Sequence, residues 1–523
     1  MIMKKQLLLL VMMLSPMMAM ADAVEIDGIY YNLYSIDKVA EVTSNPDKYK
    51  GYVNIPESVT YEGVIYNVTA IGDYAFYDCG ELTSIKIPDT IKSIGKEAYC
   101  RCSGAKSLIL GNGVETIGSN AFYNCEQIPS VTIPSSLTAI GENAFGSCFE
   151  LKTVIINDIA SWCQIDFGDG GANPAFEADI IYNKDYNEIT NLVIPDGVKA
   201  ISNYAFFFFS KLLSVKIPNS VQFIGKHAFE GCNNMTTINI PDGVNTIEES
   251  TFSRCKNLSN ITIGNGVKAI EEEAFYYCSS LYGIDLPKGV VSIDTWAFCN
   301  CKKLRSIDIP SVTSIGAGAF RECTSLNNVI LSDNLTNIPQ NAFDGCTALT
   351  NIIIPAKVET IDDFAFRECN NLESVTVLAT TPPTAPENVF PKYTIPLIVP
   401  EGSQTTYQSV SPWSRFASFV ATCQKPTITL ENGKLLFGCE TDGVEYHYTI
   451  SNSNSKEGVG NEIPFSQAFN ISVYASKEGC QNSPTAVLEV NAPSSKKGDV
   501  TGDGEVTITD AVEVVNIIMG KAE

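Results

Sequence analysis

A small residue followed by an aromatic one recurs along most of this chain, and the usual step is 23 residues. The aromatic members are Phe76, Tyr99, Phe122, Phe145, Phe206, Phe229, Phe252, Phe275, Phe298, Phe320, Phe343 and Phe366. One step, from Phe298 to Phe320, is 22, and one, from Phe145 to Phe206, is 61 and contains a swollen repeat placed around Phe176. A fixed period of this length is the signature of a solenoid. One short unit cannot bury its apolar face alone, but a stack of units can.

A second marker keeps phase with the first. Ile87-Pro88, Ile133-Pro134, Ile194-Pro195, Ile217-Pro218, Ile240-Pro241, Ile309-Pro310 and Ile354-Pro355 occupy one point of the unit. Leu82, Ile85 and Ile87 therefore read as a short strand with one face inward, ended by a proline that cannot donate to a ladder. Gly72, Gly95, Gly118, Gly141, Gly225 and Gly316 follow an inward isoleucine and read as turn glycines. Ala-Phe then drops its ring into the core on a turn or short helix. The composite unit, L-x-x-I-x-I-P-x-x-V-x-x-I-G-x-x-A-F-x-x-C, resembles the BspA-like leucine-rich repeat family, also called the Treponema-type repeat, over residues 51–378. That resemblance implies a bacterial surface or secreted protein, of a family that includes adhesins for host matrix proteins.

Eleven of the 17 cysteines stand three residues after an aromatic anchor, from Cys79 to Cys369. Equivalent residues of stacked units point the same way into the core, where a free cysteine behaves as a small hydrophobe. The expectation is a row of buried, unbridged thiols, with disulfides as the lesser alternative. The pairs Cys100/Cys102 and Cys299/Cys301 lack a matching second pair or histidine for zinc.

Around this array the chain divides as follows. Residues 1–21 read as a signal peptide, with Lys4 and Lys5, an apolar stretch over 7–14 and the small-x-small site Ala19-Met20-Ala21. The first cysteine is Cys79, so no lipoprotein cysteine follows the cleavage site. Residues 22–50 form an N-terminal cap and 379–422, with Trp413 and Phe416, the opposite cap. Within the solenoid, residues 157–190 break the period with a turn-rich loop and a hairpin around 183–187. Residues 424–492 read as a small immunoglobulin-like β-sandwich, with Asn432-Gly433 and Asp442-Gly443 as hairpin signals. The fold class is thus mostly β with short helices and turns: a leucine-rich-repeat solenoid, a β-sandwich module, and a tail with a calcium loop and helix.

That tail, residues 493–523, has side-chain oxygens at calcium-loop spacing. Asp499, Thr501, Asp503 and Asp510 stand at positions 1, 3, 5 and 12, Gly504 at 6, the Glu505 carbonyl at 7 and Thr507 at the water-mediated position. Val512, Val515, Ile518 and Met519 make an apolar stripe after it. The segment is similar to one half of a type I dockerin, with Thr501 where that family usually has Asn or Asp. The resemblance implies calcium as a cofactor and a cohesin-like partner.

Charge narrows the function. With 59 acidic and 35 basic residues the net charge is −24, which disfavours nucleic acid as a partner. Two histidines leave little for acid–base or zinc chemistry. No nucleophile elbow or phosphate loop is present, and no later stretch is apolar enough to span a membrane. The expectation is a secreted or surface-held, non-catalytic protein that binds a protein or glycan. The alternative is a dockerin-tethered component, hydrolytic or not, of an extracellular polysaccharide-processing assembly. The candidate ligand surface is the outward strand position of successive units: Lys86, Ile109, Thr132, Ile155, Val193, Lys216, Asn239, Thr262, Asp285, Asp308, Ile330, Ile353 and Thr376. Within it, Lys86, Lys216, Asn239, Thr262, Asp285 and Asp308 are the candidate ligand-surface residues.

Overall fold

The computed structural model describes residues 23–431, 434–451, 456–459, 462–464 and 469–490. The signal peptide and the calcium loop lie outside the described residues. The chain divides at Leu304/Arg305 into two units, each built mainly from stacked coils.

In the first unit, most coils add a short rung to two parallel ladders. One runs Val64–Ile71, Ser93–Ile94, Thr116–Ile117, Ala139–Ile140 and Asp166–Phe167, with Ile71, Ile94, Ile117, Ile140 and Phe167 in register. The other carries the outward positions. Its longest run joins Asn191–Val193, Ser214–Lys216, Thr237–Asn239 and Asn260–Thr262. Alternation sets the facing: Ile85 and Ile87 are buried, and Lys86 between them is exposed. The sequence reading had one strand per unit; the two-residue rungs of the other ladder are additional.

A third line of contact runs through the aromatic anchors. The N–H groups of Tyr74, Phe76 and Asp78 donate to the carbonyls of Lys96, Ala98 and Cys100 on the next coil, at 2.9, 2.6 and 2.8 Å. The pattern repeats at Glu97, Tyr99 and Arg101. Residues two before and two after the anchor have φ near +55 to +60°, as at Tyr74 (59°) and Asp78 (58°). This left-handed conformation aims three alternate N–H groups along the stack, and the amides between them close i,i+3 turns such as Tyr77 N–H to Tyr74 C=O. Two such residues cost about 1–2 kcal/mol each. Three net hydrogen bonds return about 1 kcal/mol each. Those nearly cancel, so burial of the anchor ring, worth about 2–3 kcal/mol, decides.

The rings themselves stack. Phe76, Tyr99, Phe122 and Phe145 form one run, with Tyr49 tilted against Phe76, and Phe206, Phe229, Phe252, Phe275 and Phe298 a second. Between them Phe176 is no anchor: it is 41% exposed. The swollen repeat solves the loss differently. The Ala205 carbonyl, whose equivalents accept from an anchor N–H, receives instead the Trp162 indole N–H (2.7 Å) and the Asn173 amide (3.1 Å). Trp162 ends a single helical turn, Ile159–Trp162, capped by the Asp158 carboxylate. The expected hairpin reduces to one bridge, Tyr182 to Glu188, around a turn in which Asn183 Oδ1 accepts from the amides of Asp185 and Asn187. Ile180–Asn183 otherwise extends a parallel ladder from Thr153–Ile156.

The glycines after the inward isoleucines do not supply positive φ. A Cβ on Gly95 would lie 2.5 Å from the Asp73 nitrogen of the preceding coil, and one on Gly118 would lie 2.6 Å from the Lys96 nitrogen. Close approach of neighbouring coils requires them. At the N-terminus, Val24–Ile26, Ile29–Tyr34 and Val39–Val42 form an antiparallel meander that joins Val64–Ile71 in parallel.

The second unit repeats the scheme. Phe320, Phe343, Phe366 and Phe390 stack, and Phe390 then meets Tyr393, Trp413 and Phe416 edge-on. Asn351–Ile354, Ser374–Val377, Pro396–Pro400 and Ser418–Thr422 form a parallel sheet. Beyond it lie two antiparallel sheets, of three and four strands. Their shared core holds Phe437, Ile471, Val473 and Ala486.

Phe252→Ala, at a fully buried anchor, is expected to cost about 3–5 kcal/mol. Phe176→Ala should cost less than about 1 kcal/mol. Urea unfolding followed by circular dichroism checks the difference, and equal losses would contradict the assignment of anchors.

Candidate functional site

Most of the outward strand positions are open to solvent. Lys86, Ile109, Val193, Lys216, Asn239, Thr262 and Asp285 are exposed in the first unit, and Asp308, Ile330 and Ile353 in the second. Three differ from the sequence expectation. Ile155 is only 9% exposed, because Thr153–Ile156 is covered on both faces, and Thr132 and Thr376 are half-buried. Asp285 stands in an irregular segment rather than on a strand, and Asp308 closes the strand Ser306–Asp308. Burial raises the Asp308 carboxyl above its ordinary value.

The turn face is chemically richer, and the sequence reading missed it. It is built from the positive-φ residues and the residue just after each anchor. Around the swollen repeat these bring together Tyr204, Phe207, Phe208 and His227, with Phe176 beside them. The Tyr204 and His227 rings stack at 4.7 Å and 5°. Phe207 lies 4.7 Å from Phe208 and 5.4 Å from Phe176. Acids rim this group: His227 Nδ1 is 2.7 Å from Glu230 Oε2, and Lys226 pairs with Glu249 at 2.9 Å. Burial, with Glu272 and Glu230 nearby, raises the Glu273 carboxyl. Tyr277 and Trp296 are further exposed aromatic residues at positive-φ positions of later coils. The signal for this face was the run Phe206-Phe207-Phe208-Phe209, which has more aromatics than one core position needs.

Two further clusters have structural explanations. A cleft of about 710 Å³ is lined by Asp47, Lys48, Lys50, Asp78, Glu81 and Arg101. Lys50 is already paired with Glu81 at 2.9 Å, and Lys48 Nζ donates to the Tyr77 carbonyl at 2.7 Å. In the second unit the buried Asp344 carboxylate accepts from Arg321 Nε (3.1 Å), Arg367 Nε (2.9 Å) and Arg367 Nη2 (2.6 Å). Two guanidiniums thus satisfy an anion that would be costly to bury alone. Among the described residues, no group of three or more His, Cys, Asp or Glu is placed to hold a metal ion. No helix among them is long and apolar enough to cross a membrane.

The cysteine row is explained by a repeated bond. From the second coil on, a thiol donates to the carbonyl of the anchor one coil back, as from Cys102 to Phe76, Cys125 to Tyr99, Cys255 to Phe229 and Cys278 to Phe252 at 3.1–3.2 Å, whereas Cys79 bonds the Tyr77 carbonyl at 3.9 Å. In the second unit Cys346 and Cys369 do the same to Phe320 and Phe343. A hydrophobe of similar size would leave this donor role empty. Burial raises these thiols; Cys148 and Cys369 reach about 12.

The sequence matches the family described as "BspA type Leucine rich repeat region" over residues 69–164, 181–305 and 268–395. That is more than half of the chain, and the chain belongs to this family. Among solved structures, it is similar to a leucine-rich repeat protein from Bacteroides ovatus (23% identity, 76% of this chain and 100% of that one, TM-score 0.49). A leucine rich cell surface protein from Faecalibacterium prausnitzii matches at 24% identity over 75% of this chain and 98% of its own, with a TM-score of 0.33. The pneumococcal vaccine antigen PcpA matches at 16% identity over 77% and 99%, with a TM-score of 0.44. No curated protein matches the sequence.

The thiols set an alkaline limit. Their folded pKa lies above the ordinary value of 9.0, so they stabilise the fold fully below pH 9. That contribution is lost as pH rises towards about 12. Chemical denaturation at pH 8 and pH 10.5 should show a lower midpoint at the higher pH, and alkylation of the row should require denaturant. Alkylation of Cys255 or Cys278 in the native protein at pH 8 would refute the assignment.

Proposed function

We propose that this chain is an exported or surface-held, non-catalytic protein of the BspA type that binds a protein or glycan through its coil surfaces. The observation that supports this most is the partly exposed aromatic group at Tyr204, Phe207, Phe208, His227 and Phe176. Its side chains are mounted on turns whose main-chain hydrogen bonds fix them, so little conformational entropy is lost on contact. Aromatic rings with a rim of paired charges suit either the apolar face of a sugar or a protein hot spot. Within each unit the outward strand positions form a second, flatter surface.

A glycan array and a screen of extracellular-matrix proteins, run on the same full-length protein, separate the two ligand classes. For any ligand found, Phe176→Ala with Trp296→Ala should weaken binding at least about tenfold. Asp285→Lys with Asp308→Lys should change it less. The reverse order would move the contact to the strand face; no effect of either pair would sink the proposal.

A second reading, a tethered component of an extracellular assembly, draws its support from the tail. We propose calcium there, held by Asp499, Asp503 and Asp510 with Thr501, the Glu505 carbonyl and Thr507. Three carboxylates at that spacing repel one another without a cation, so binding should order the segment. Titration calorimetry of the full chain with millimolar calcium should give heat that Asp503→Ala abolishes. Equal heat from that variant would end the calcium proposal.

A further inference from the structure

The three cysteines outside the coils form a group of a different kind. Cys423 follows the cap strand Ser418–Thr422, Cys439 follows the strand Lys434–Gly438, and Cys480 lies in the turn after Phe469–Ser476. Main-chain pairing brings the first and last together. Thr422 and Gln481 form a parallel bridge, the Cys423 N–H donates to the Gln481 carbonyl at 3.2 Å, and the Gln481 N–H donates to the Ala421 carbonyl at 2.8 Å. Thr422 Oγ1 adds a 3.2 Å bond to the Asn482 carbonyl. Cys439 reaches the same corner, its thiol donating to the Gln424 carbonyl at 3.1 Å.

The partners mark the difference from the coil cysteines. Every coil thiol bonded above points at a carbonyl, which is a stable arrangement for a reduced thiol. The Cys423 thiol has no such carbonyl partner among the described residues; burial raises it, and the neighbouring Cys480 and Cys439 thiols add to that. Cys423 is buried, whereas Cys480 and Cys439 are half-exposed and accessible to a reagent. The charges nearby are Lys477 and Glu401, which pair with each other at 2.7 Å.

We propose that Cys423 and Cys480 are a disulfide-forming pair, a clasp that ties the end of the cap to the strand turn of the C-terminal module, with Cys439 left as a free thiol. The oxidant class is a small or protein disulfide, supplied in the test by oxidised glutathione. Cys480 as thiolate attacks one glutathione sulfur, forming a mixed disulfide and expelling one glutathione thiolate. The Cys423 thiolate then attacks the Cys480 sulfur and expels the second. Two protons leave the cysteines and protonate the two glutathione thiolates, so the sum is one disulfide exchanged for another. The bond requires sulfurs about 2.0 Å apart, and the Thr422–Gln481 backbone pairing holds the two cysteines side by side for side-chain rotation to close it. Nothing in this depends on which ligand the coils bind.

The test uses the full chain, purified reduced and incubated with oxidised glutathione at pH 8. Unfolding in an excess of alkylating agent follows, and then peptide mapping without reduction. The expected result is one linked pair of peptides, carrying Cys423 and Cys480, with Cys439 and the coil cysteines alkylated. Oxidation should also raise the unfolding midpoint of the C-terminal module by roughly 5 °C or more, since the clasp closes a long loop. Cys480→Ser, which keeps size and polarity, should remove that redox dependence. A link through Cys439, a glutathione adduct that never resolves, or no loss of thiols at 423 and 480 would each overturn the proposal. Redox dependence that persists in Cys480→Ser would do so as well.

Discussion

The hydrogen bond from an anchor N–H to the alanine carbonyl of the following coil is the contact on which the other features of each coil depend. At Phe76 it is 2.6 Å and at Phe206 2.8 Å. It can form only if the residues on either side are left-handed, because that alternation turns every second N–H along the stack. The same geometry leaves the anchor ring face to face with its neighbours, and leaves the anchor carbonyl open to the cysteine one coil on. Ring, thiol and turn are therefore one device. The sum of strain and hydrogen bonding is near zero, so the device holds only while the ring is buried. This is why terminal rings are covered, by Tyr49 at one end of the first unit and by Trp413 and Phe416 beside Phe390 in the second.

Much of this was legible in the sequence, for a physical reason. A core position accepts few residue types, so the Ala-Phe pairs, the Ile-Pro pairs and the cysteines repeat and can be counted. Solvent positions accept many types, so they carry no periodic signal even when their backbone is unusual. Tyr74, Glu97, Asn120, Tyr204, His227 and Trp296 share one conformation and almost no chemistry. Their left-handed backbone is imposed by inter-coil bonding rather than by local preference, and no glycine announces it. The second ladder was missed because rungs of two residues, such as Ser93–Ile94, are too short to alternate. The glycines are legible as turn residues, and what the sequence does not reveal is that clearance between coils requires them.

The candidate surface follows the same division. Outward strand positions were predicted from alternation and mostly lie where alternation puts them, with Ile155 lost to cover from both sides. The aromatic group on the turns arises where the period fails. There Trp162 and Asn173 take over the bond that an anchor amide makes elsewhere, which frees Phe176 to lie at the surface against Phe207 and Phe208. An irregular repeat thus changes surface chemistry while the ladders beside it continue.

Because an interior coil of either unit offers one set of donors forward and one set of acceptors back, any such coil can follow any other. Cutting out or copying a stretch of 23 residues, the usual step between anchors, would rejoin the same carbonyls to the same amides. At the level of the gene, such an array can change length by unequal recombination without passing through a misfolded product. Each added copy brings surface positions that are free to diverge, so ligand preference can change by coil number as well as by substitution.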